Sequence, residues 1–136
     1  MIIKYIGHAC FKVRDNQTGY SIVFDPYTPD SIPGFRSIVD TASEVLCSHE
    51  HFDHNHRESL KLEPSDNSPF EISFIDTWHD PQKGALRGPN RIHIVKDKMR
   101  AMISFYVVFQ SVFENHLQMC IICDIISKVV NWEHTL

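Results

Sequence analysis

Three histidines and one aspartate directly follow an apolar strand, and this run constrains the chain more than any other feature. The run is His49-Glu50-His51-Phe52-Asp53-His54, and it comes after the apolar centre of residues 44–48. Imidazole nitrogen and carboxylate oxygen are ligands that suit Zn²⁺, and also Fe or Mn. The pattern therefore predicts a buried strand near residues 45–47 that delivers a metal-binding loop at its end.

The spacing within the run divides its ligands into two pairs. Alternate side chains of an extended segment share one face, so His49 and His51 can hold a single ion together. Asp53 and His54 follow a turn and can point to a neighbouring ion, and two ions about 3.5–4 Å apart would activate a water molecule between them. The competing interpretation is a solvated, histidine-rich loop, because His56 follows closely.

The composition argues against several classes of protein. With 136 residues, 43% of them hydrophobic, the chain can form one domain with a core. Its formal net charge of −4 and its lack of a basic cluster argue against nucleic-acid binding. Its four cysteines do not form a secreted disulfide framework, its start lacks a signal peptide, and its longest apolar run, residues 101–113, is too short to span a bilayer. We therefore expect a cytoplasmic protein with a small-molecule substrate and no nucleic-acid or membrane partner.

Apolar patterns predict mostly short strands, with a change of character near residue 100. The predicted strands are residues 2–6, 10–14, 20–24, 45–47, 70–74, 91–95 and 104–109. Residues 15–19 form the turn of a β-hairpin, and residues 57–62 contain about one helical turn. All five glycines and all seven prolines lie at or before position 89. Beyond it, apolar residues at helical spacing predict an amphipathic helix over residues 117–130.

The motif run and its surroundings resemble the metallo-β-lactamase-fold hydrolases. Residues 5–11, Tyr-Ile-Gly-His-Ala-Cys-Phe, and residues 22–27, Ile-Val-Phe-Asp-Pro-Tyr, are similar to the opening segments of the lactonase-like branch related to ascorbate-6-phosphate lactonase. Residues 77–80, Thr-Trp-His-Asp, with Gly84 and residues 87–90, Arg-Gly-Pro-Asn, resemble the segment that carries the family's next metal histidine. These matches occur in the family's order and cover residues 2–98.

The resemblance implies a fold, a set of ligands and a reaction. The fold would be an α/β metallo-β-lactamase αββα sandwich with metals at one edge. The implied metal ligands are His49, His51 and His79 for a first ion and Asp53 and His54 for a second; the last two are also the catalytic candidates. The implied groups beside the metals, second-shell or substrate-facing, are His8 and Asp25, although His8 can equally serve packing. Arg87 is a further candidate of this kind because its guanidinium suits an anionic substrate group, and the alternative is a solvated loop arginine. A metal-activated hydroxide would attack an ester, a lactone, an amide or a phosphoester. His79 can also be a hydrogen-bonded core histidine, and Asp25 can simply cap a turn.

The sequence departs from the family after residue 100. Family members continue to a Gly-Asp segment, whose aspartate bridges the metals, and to a last histidine ligand, and neither pattern occurs here. We therefore expect a truncated fold. Residues 1–100 would be the N-terminal half of the domain, and residues 101–136 an atypical apolar tail, a strand followed by the amphipathic helix, through which copies could associate.

Three functions are compatible with this sequence, and it leaves enzyme activity open. The first is a zinc-dependent hydrolase with one or two ions. The second is a non-catalytic metal-binding remnant or interaction module of the same fold. The third is an iron-dependent redox enzyme, because fold alone does not determine function.

Overall fold

The computed structural model describes residues 1–98 and three further strands, and it divides the chain into two compact units. The first unit comprises Met1–Ser68 with Lys128–Leu136, and the second comprises Pro69–Ser127. The elements of the described residues are β1 (Ile2–Gly7), β2 (Cys10–Arg14), β3 (Ser21–Phe24), β4 (Asp40–Ala42), β5 (Glu44–Leu46), a 3₁₀ helix (Arg57–Ser59), β6 (Leu60–Leu62), β7 (Phe70–Trp78), β8 (Pro89–Asp97), β9 (Phe105–Val112), β10 (His116–Cys123) and β11 (Asn131–His134).

The first unit is built on a five-stranded sheet in the order β11-β1-β2-β3-β5. Strands β1, β2 and β3 pair antiparallel, while β11 lies parallel to β1 and β5 lies parallel to β3. The predicted hairpin of β2 and β3 is confirmed. Its turn is held by Asp15, whose Oδ2 accepts hydrogen bonds from the backbone nitrogens of Gln17 at 3.1 Å and Thr18 at 2.8 Å. Gly19 completes the turn at a φ of 76°, which favours glycine.

Strand β3 lies between β2 and β5, and every one of its residues is buried. Its neighbour β5 pairs with it in parallel, so that Phe24 lies opposite Leu46 at the ends of the two strands. The core cluster consists of Cys10, Val23, Tyr27, Ile38, Ala42, Val45 and Leu60. Because the two strands end together, the segments that follow them begin side by side.

The second unit contains two antiparallel pairs, β7 with β8 and β9 with β10. The loop between β7 and β8 is organised by Asp80, whose two carboxylate oxygens accept hydrogen bonds from the backbone nitrogens of Gln82, Gly84, Leu86 and Arg87. Both strands of this hairpin are longer than the sequence predicts, because pairing continues from Phe70 opposite Asp97 to Trp78 opposite Pro89.

The predicted αββα class and the helical tail are wrong. Among the described residues the chain forms eleven strands and a single 3₁₀ turn. The sequence predicts a helical turn within residues 57–62, but only Arg57–Ser59 are helical, and Leu60–Leu62 form strand β6. Residues 117–123, which the sequence places at the start of the tail helix, lie in strand β10 (His116–Cys123) and pair with β9. Apolar residues at helical spacing do not exclude a strand in so short a segment, and here β-branched residues and a partner strand favour the strand. Residues 124–130 of the predicted helix lie outside the described residues, and the domain boundary at residue 100 stays a prediction.

A search of the described part of the chain finds no helix that is long and apolar enough to cross a membrane.

Replacing Asp15 with asparagine is expected to lower the free energy of unfolding by about 1–3 kcal/mol at pH 7, because the turn loses a charged acceptor of several hydrogen bonds. Burial raises the pKa of Asp15, but the bonds from Thr18 and Gln17 outweigh this, so that the folded pKa lies below its usual value. The contribution is therefore present above about pH 4 and disappears as the pH falls through the folded pKa.

Urea unfolding of the unaltered chain and of the Asp15→Asn variant, at pH values from 7 down to 2–3, measures the difference in the free energy of unfolding. The matched control is Asp66→Asn, an exposed aspartate of a loop in the same unit. An Asp15→Asn penalty that persists unchanged at pH 2–3 would contradict a charge-based role for the carboxylate.

Candidate metal centre

Three segments of the first unit meet where the sequence places its metal ligands. The histidine run follows β5, Asp25 follows β3, and His8 lies in the tight connection between β1 and β2. The run bends into a turn because the backbone nitrogens of His54 and Asn55 both donate to the carbonyl oxygen of His51 at 2.9 Å. The backbone nitrogen of Thr28 donates to Phe52 at 3.0 Å, which fastens this turn to the segment after β3.

The buried carboxylate of Asp25 holds the start and the end of the histidine run. Asp25 is 1% exposed. Its Oδ1 accepts a hydrogen bond from the backbone nitrogen of Ser48 at 2.6 Å, and its Oδ2 accepts one from the Ser48 hydroxyl at 2.7 Å. The same Oδ2 lies 3.1 Å from Nδ1 of His54. One side chain therefore determines how the run leaves β5 and how its last histidine is turned.

These hydrogen bonds assign the tautomers of two histidines. The Ser48 hydroxyl has one proton, which it donates to Asp25, so its oxygen accepts from Nδ1 of His49 at 2.9 Å. His54 likewise donates from Nδ1 to Asp25. In both residues Nε2 then carries the lone pair that a metal ion needs. A carboxylate behind a ligating histidine is the usual means of orienting such ligands.

Four imidazole rings of the first unit lie next to one another. The ring centroids of His49 and His54 are 4.0 Å apart, those of His49 and His51 are 4.6 Å apart, and those of His8 and His54 are 5.1 Å apart. Imidazolium rings at such distances would repel one another, whereas neutral rings that share metal ions are stable together.

His8, Asp53 and His54 form a group with the donor atoms of a metal site. One ligand atom from each lies within 4.8 Å of the other two. Oδ2 of Asp53 is 3.2 Å from Nε2 of His8 and 3.5 Å from Nε2 of His54. Two imidazoles and a carboxylate are a donor set that suits zinc and also non-haem iron, so the residues present fit the metal that the sequence predicts.

The electrostatics of this group favour the protonation states that bind metal. Burial lowers the pKa of His8, and His54 lowers it further, against the opposing effects of Asp53 and Asp25. Burial raises the pKa of Asp53, but His54 and His8 contribute to a larger opposite effect, and the pKa lies below its usual value. A neutral imidazole beside an ionised carboxylate is the combination that coordinates a cation.

Two of these residues have backbone conformations that side chains rarely adopt. His8 has a φ of 51° and Asp25 has a φ of 46°, both in the left-handed region. Such strain costs about 1–3 kcal/mol for a residue other than glycine and is concentrated at functional sites. The two positions that present polar groups to the histidine run are therefore held there by the surrounding packing.

The structure brings six of the eight predicted site residues together in the first unit. Among the metal candidates, His49 and His54 are buried, Asp53 is half-buried and His51 is exposed, while of the flanking candidates Asp25 is buried and His8 is half-buried. The other two belong to the second unit. His79 follows β7, and the exposed Arg87 lies in the loop before β8. The functional roles of all eight residues stay predictions.

Sequence reasoning missed Ser48, which links Asp25 to His49. Its position directly before the motif was the available signal, because a hydroxyl there can bond the neighbouring histidine. His56, which extends the histidine-rich run, lies apart from the group: its Nδ1 is 2.6 Å from the hydroxyl of Ser59.

In a comparison with protein families, residues 2–106 match a family described as the beta-lactamase superfamily domain. No curated protein and no solved structure matches the chain.

Replacing Asp25 with asparagine is expected to weaken zinc binding by about 10–100-fold, the usual cost of losing a partner that orients a ligand. An amide cannot accept from Ser48 and His54 together as the carboxylate does, so the orientation of His54 and the polarisation of His49 are lost. Competition with a chromophoric chelator measures the dissociation constant.

The control for this substitution is Asp30→Asn. Asp30 also has a positive φ, 59°, but it is exposed. Equal zinc affinity in the Asp25 variant and the unaltered chain would show that the network does not prepare the ligands.

Proposed function

The chain belongs to the beta-lactamase superfamily, and from this premise we propose that it is a zinc-dependent hydrolase of the metallo-β-lactamase type. The class of substrate proposed is a small ester, lactone or phosphoester. A cytoplasmic location, expected from the cysteines, is part of the same proposal.

The observation that carries the proposal is the network around Asp25. It directs Nε2 of His49 and of His54 away from the hydrogen-bonded side of each ring. A loop that was merely solvated would not need a buried carboxylate to fix two ring orientations. The arrangement is what metal ligands require, and it argues against the interpretation of a histidine-rich tract without function.

The proposed ligands divide between the two ends of the run. His49 and His51 would hold one ion, and His79, proposed from its place in the family pattern alone, would add a third nitrogen. Asp53 and His54 would hold a second. When bound, zinc lowers the pKa of water to about 7 and polarises the oxygen of a carbonyl or phosphoryl group.

Two residues of the chain contribute to the proposed reaction: Asp53 supplies a hydrogen-bond acceptor, and His54 supplies a ligand whose ring orientation is fixed. Asp53 stays ionised at neutral pH, because its pKa lies below its usual value, so its carboxylate can accept a hydrogen bond from an attacking water. His54 cannot turn, since Nδ1 is fixed by Asp25. Fixed groups of this kind lower the barrier by avoiding reorganisation as charge develops.

A cavity bounded by Tyr27 and Phe35 has room for part of a small substrate, and its lining contains none of the proposed metal ligands. It has a volume of about 430 Å³ and is lined in part by Tyr5, Tyr27, Phe35 and Arg36. Tyr27 and Phe35 also contact the ring of His8, with centroid distances of 6.5 and 6.2 Å. Apolar walls with a few polar groups are typical of a small-molecule site. Arg87 is a second proposed contact for an anionic group of the substrate.

The alternative function is metal binding without catalysis. It is favoured by the sequence beyond residue 100, which contains neither a Gly-Asp segment nor any glycine. A chain of this kind would bind zinc with the same first-unit residues and would hydrolyse nothing faster than free zinc does.

Turnover of a panel of chromogenic esters, lactones and phosphoesters separates the two functions. The zinc-loaded chain is expected to hydrolyse these substrates faster than free zinc does. His51→Ala and Asp53→Ala are each expected to lower the rate by more than about 100-fold, because losing a direct ligand costs more than losing a residue that only orients a ligand, for which the cost is about 10–100-fold. The control is Glu50→Gln, because Glu50 lies between two ligands but is exposed and bonds Asn55. Zinc binding without turnover would favour the alternative, and turnover that survives both alanine variants would rule out the proposed site.

A further inference from the structure

We propose that His8 is itself a metal ligand, and that His8, Asp53 and His54 form a complete three-ligand site within the first unit. The inference deepens the proposed function, on which it rests, by adding a ligand that lies far from the histidine run in sequence. It gives His8 a definite role in place of the second-shell or substrate-facing one that the sequence suggests.

The spacing of the ligand atoms in this group is compatible with a shared metal ion. Zinc bonds to imidazole nitrogen and carboxylate oxygen are about 2.0–2.2 Å long, so the ligand atoms at two corners of a tetrahedron lie about 3.3–3.6 Å apart. The two distances from Oδ2 of Asp53, 3.2 Å to His8 and 3.5 Å to His54, lie close to this range. The 3.2 Å contact is also within the range of a hydrogen bond between a neutral imidazole and a carboxylate, so the test below uses a variant that keeps this bond and removes the ligand.

The position of His8 is imposed by its surroundings. The register between β1 and β2 shifts between Tyr5 and Gly7, and the next residue adopts the left-handed φ of 51°. The ring meets Tyr27 edge-on, at an interplanar angle of 88°. Tyr27 is 2% exposed, and its hydroxyl donates to the carbonyl oxygen of Arg36 at 2.7 Å. Burial and this hydrogen bond restrict the Tyr27 ring, which in turn restricts the ring of His8.

Gly7, directly before His8, allows the side chains of Tyr27 and Phe35 to pack close to the backbone. A Cβ at Gly7 would lie 2.7 Å from Cδ1 of Phe35 and 3.0 Å from the Tyr27 hydroxyl. Both aromatic rings can approach only because this position has no side chain. Strain at His8 together with close packing beside it indicates a constrained functional position.

His8, Asp53 and His54 supply the number of protein ligands that is typical of a catalytic zinc site. Three protein ligands leave a fourth position for water or substrate. His54 has the carboxylate of Asp25 behind it, at 3.1 Å, as its orienting partner. Every group named lies in the first unit, so this site needs no residue from the part of the chain after position 100.

Two substitutions of His8 test the ligand role. His8→Gln retains a side chain that can donate a hydrogen bond to Asp53, but an amide is a poor ligand for zinc. His8→Asn also removes the ligand and suits the left-handed backbone, which asparagine tolerates. His56→Ala is the matched control, because it removes a nearby histidine that bonds Ser59 and lies outside the group.

Zinc per chain is measured by mass spectrometry after dialysis, together with the visible spectrum of the cobalt-substituted protein. Both His8 variants are expected to hold about one zinc equivalent fewer than the unaltered chain and to lose the corresponding cobalt absorption. The His56 variant is expected to match the unaltered chain. Circular dichroism of the metal-free proteins checks that the variants are folded.

The outcomes separate this inference from the function on which it rests. Full zinc occupancy and an unchanged cobalt spectrum in both His8 variants would overturn the ligand role and leave the proposed function standing. No zinc bound by the unaltered chain would overturn both. If neither variant folds, the ¹⁵N shifts of the histidine rings decide: zinc should shift Nε2 of His8 in the unaltered chain, and an unmoved resonance would overturn the inference.

Discussion

The arrangement of the site depends on one buried carboxylate. Asp25 accepts hydrogen bonds from the backbone and the hydroxyl of Ser48 and from Nδ1 of His54. Leaving such donors buried without an acceptor would cost about 1–3 kcal/mol for each. The carboxylate thereby fixes the exit of the histidine run from β5 and selects the ring nitrogens that are available for a metal ion.

That carboxylate reaches the run because of how two buried strands pair. Strand β3 lies parallel to β5 with Phe24 opposite Leu46, so the two chain segments leave the sheet together. The backbone nitrogen of Asp25 continues the pairing by donating to the carbonyl oxygen of Leu46 at 3.0 Å. Apolar packing of β3 thus positions a polar network, and that network positions the ligands. The chemistry of the loop therefore depends on the hydrophobic core beneath it.

The sequence was most informative where local patterns decide the structure. The alternation of residues 10–14 predicted β2 with its observed bounds. The run from His49 to His54 supplied candidate ligands from residue types alone, and their role as ligands stays a prediction. Short strands such as β4 and β6 were missed, because three residues give no readable period and their pairing is set by the tertiary fold. Apolar residues at helical spacing predicted a helix over residues 117–130, but part of this segment pairs with β9 as strand β10, and such pairing between strands is not visible in local spacing. The bond from Ser48 to Asp25, and the proximity of His8 to Asp53, join segments that are far apart in sequence, and no spacing rule contains them.

The most direct measurement is a crystal structure of the zinc-loaded chain with anomalous scattering recorded at the zinc edge. If the network around Asp25 prepares the ligands, zinc will lie about 2.0–2.2 Å from Nε2 of His54 and from the carboxylate of Asp53, with Nδ1 of His54 still bonded to Asp25. Zinc bound through Nδ1 of His54, or no anomalous peak beside the histidine run, would contradict that role for Asp25.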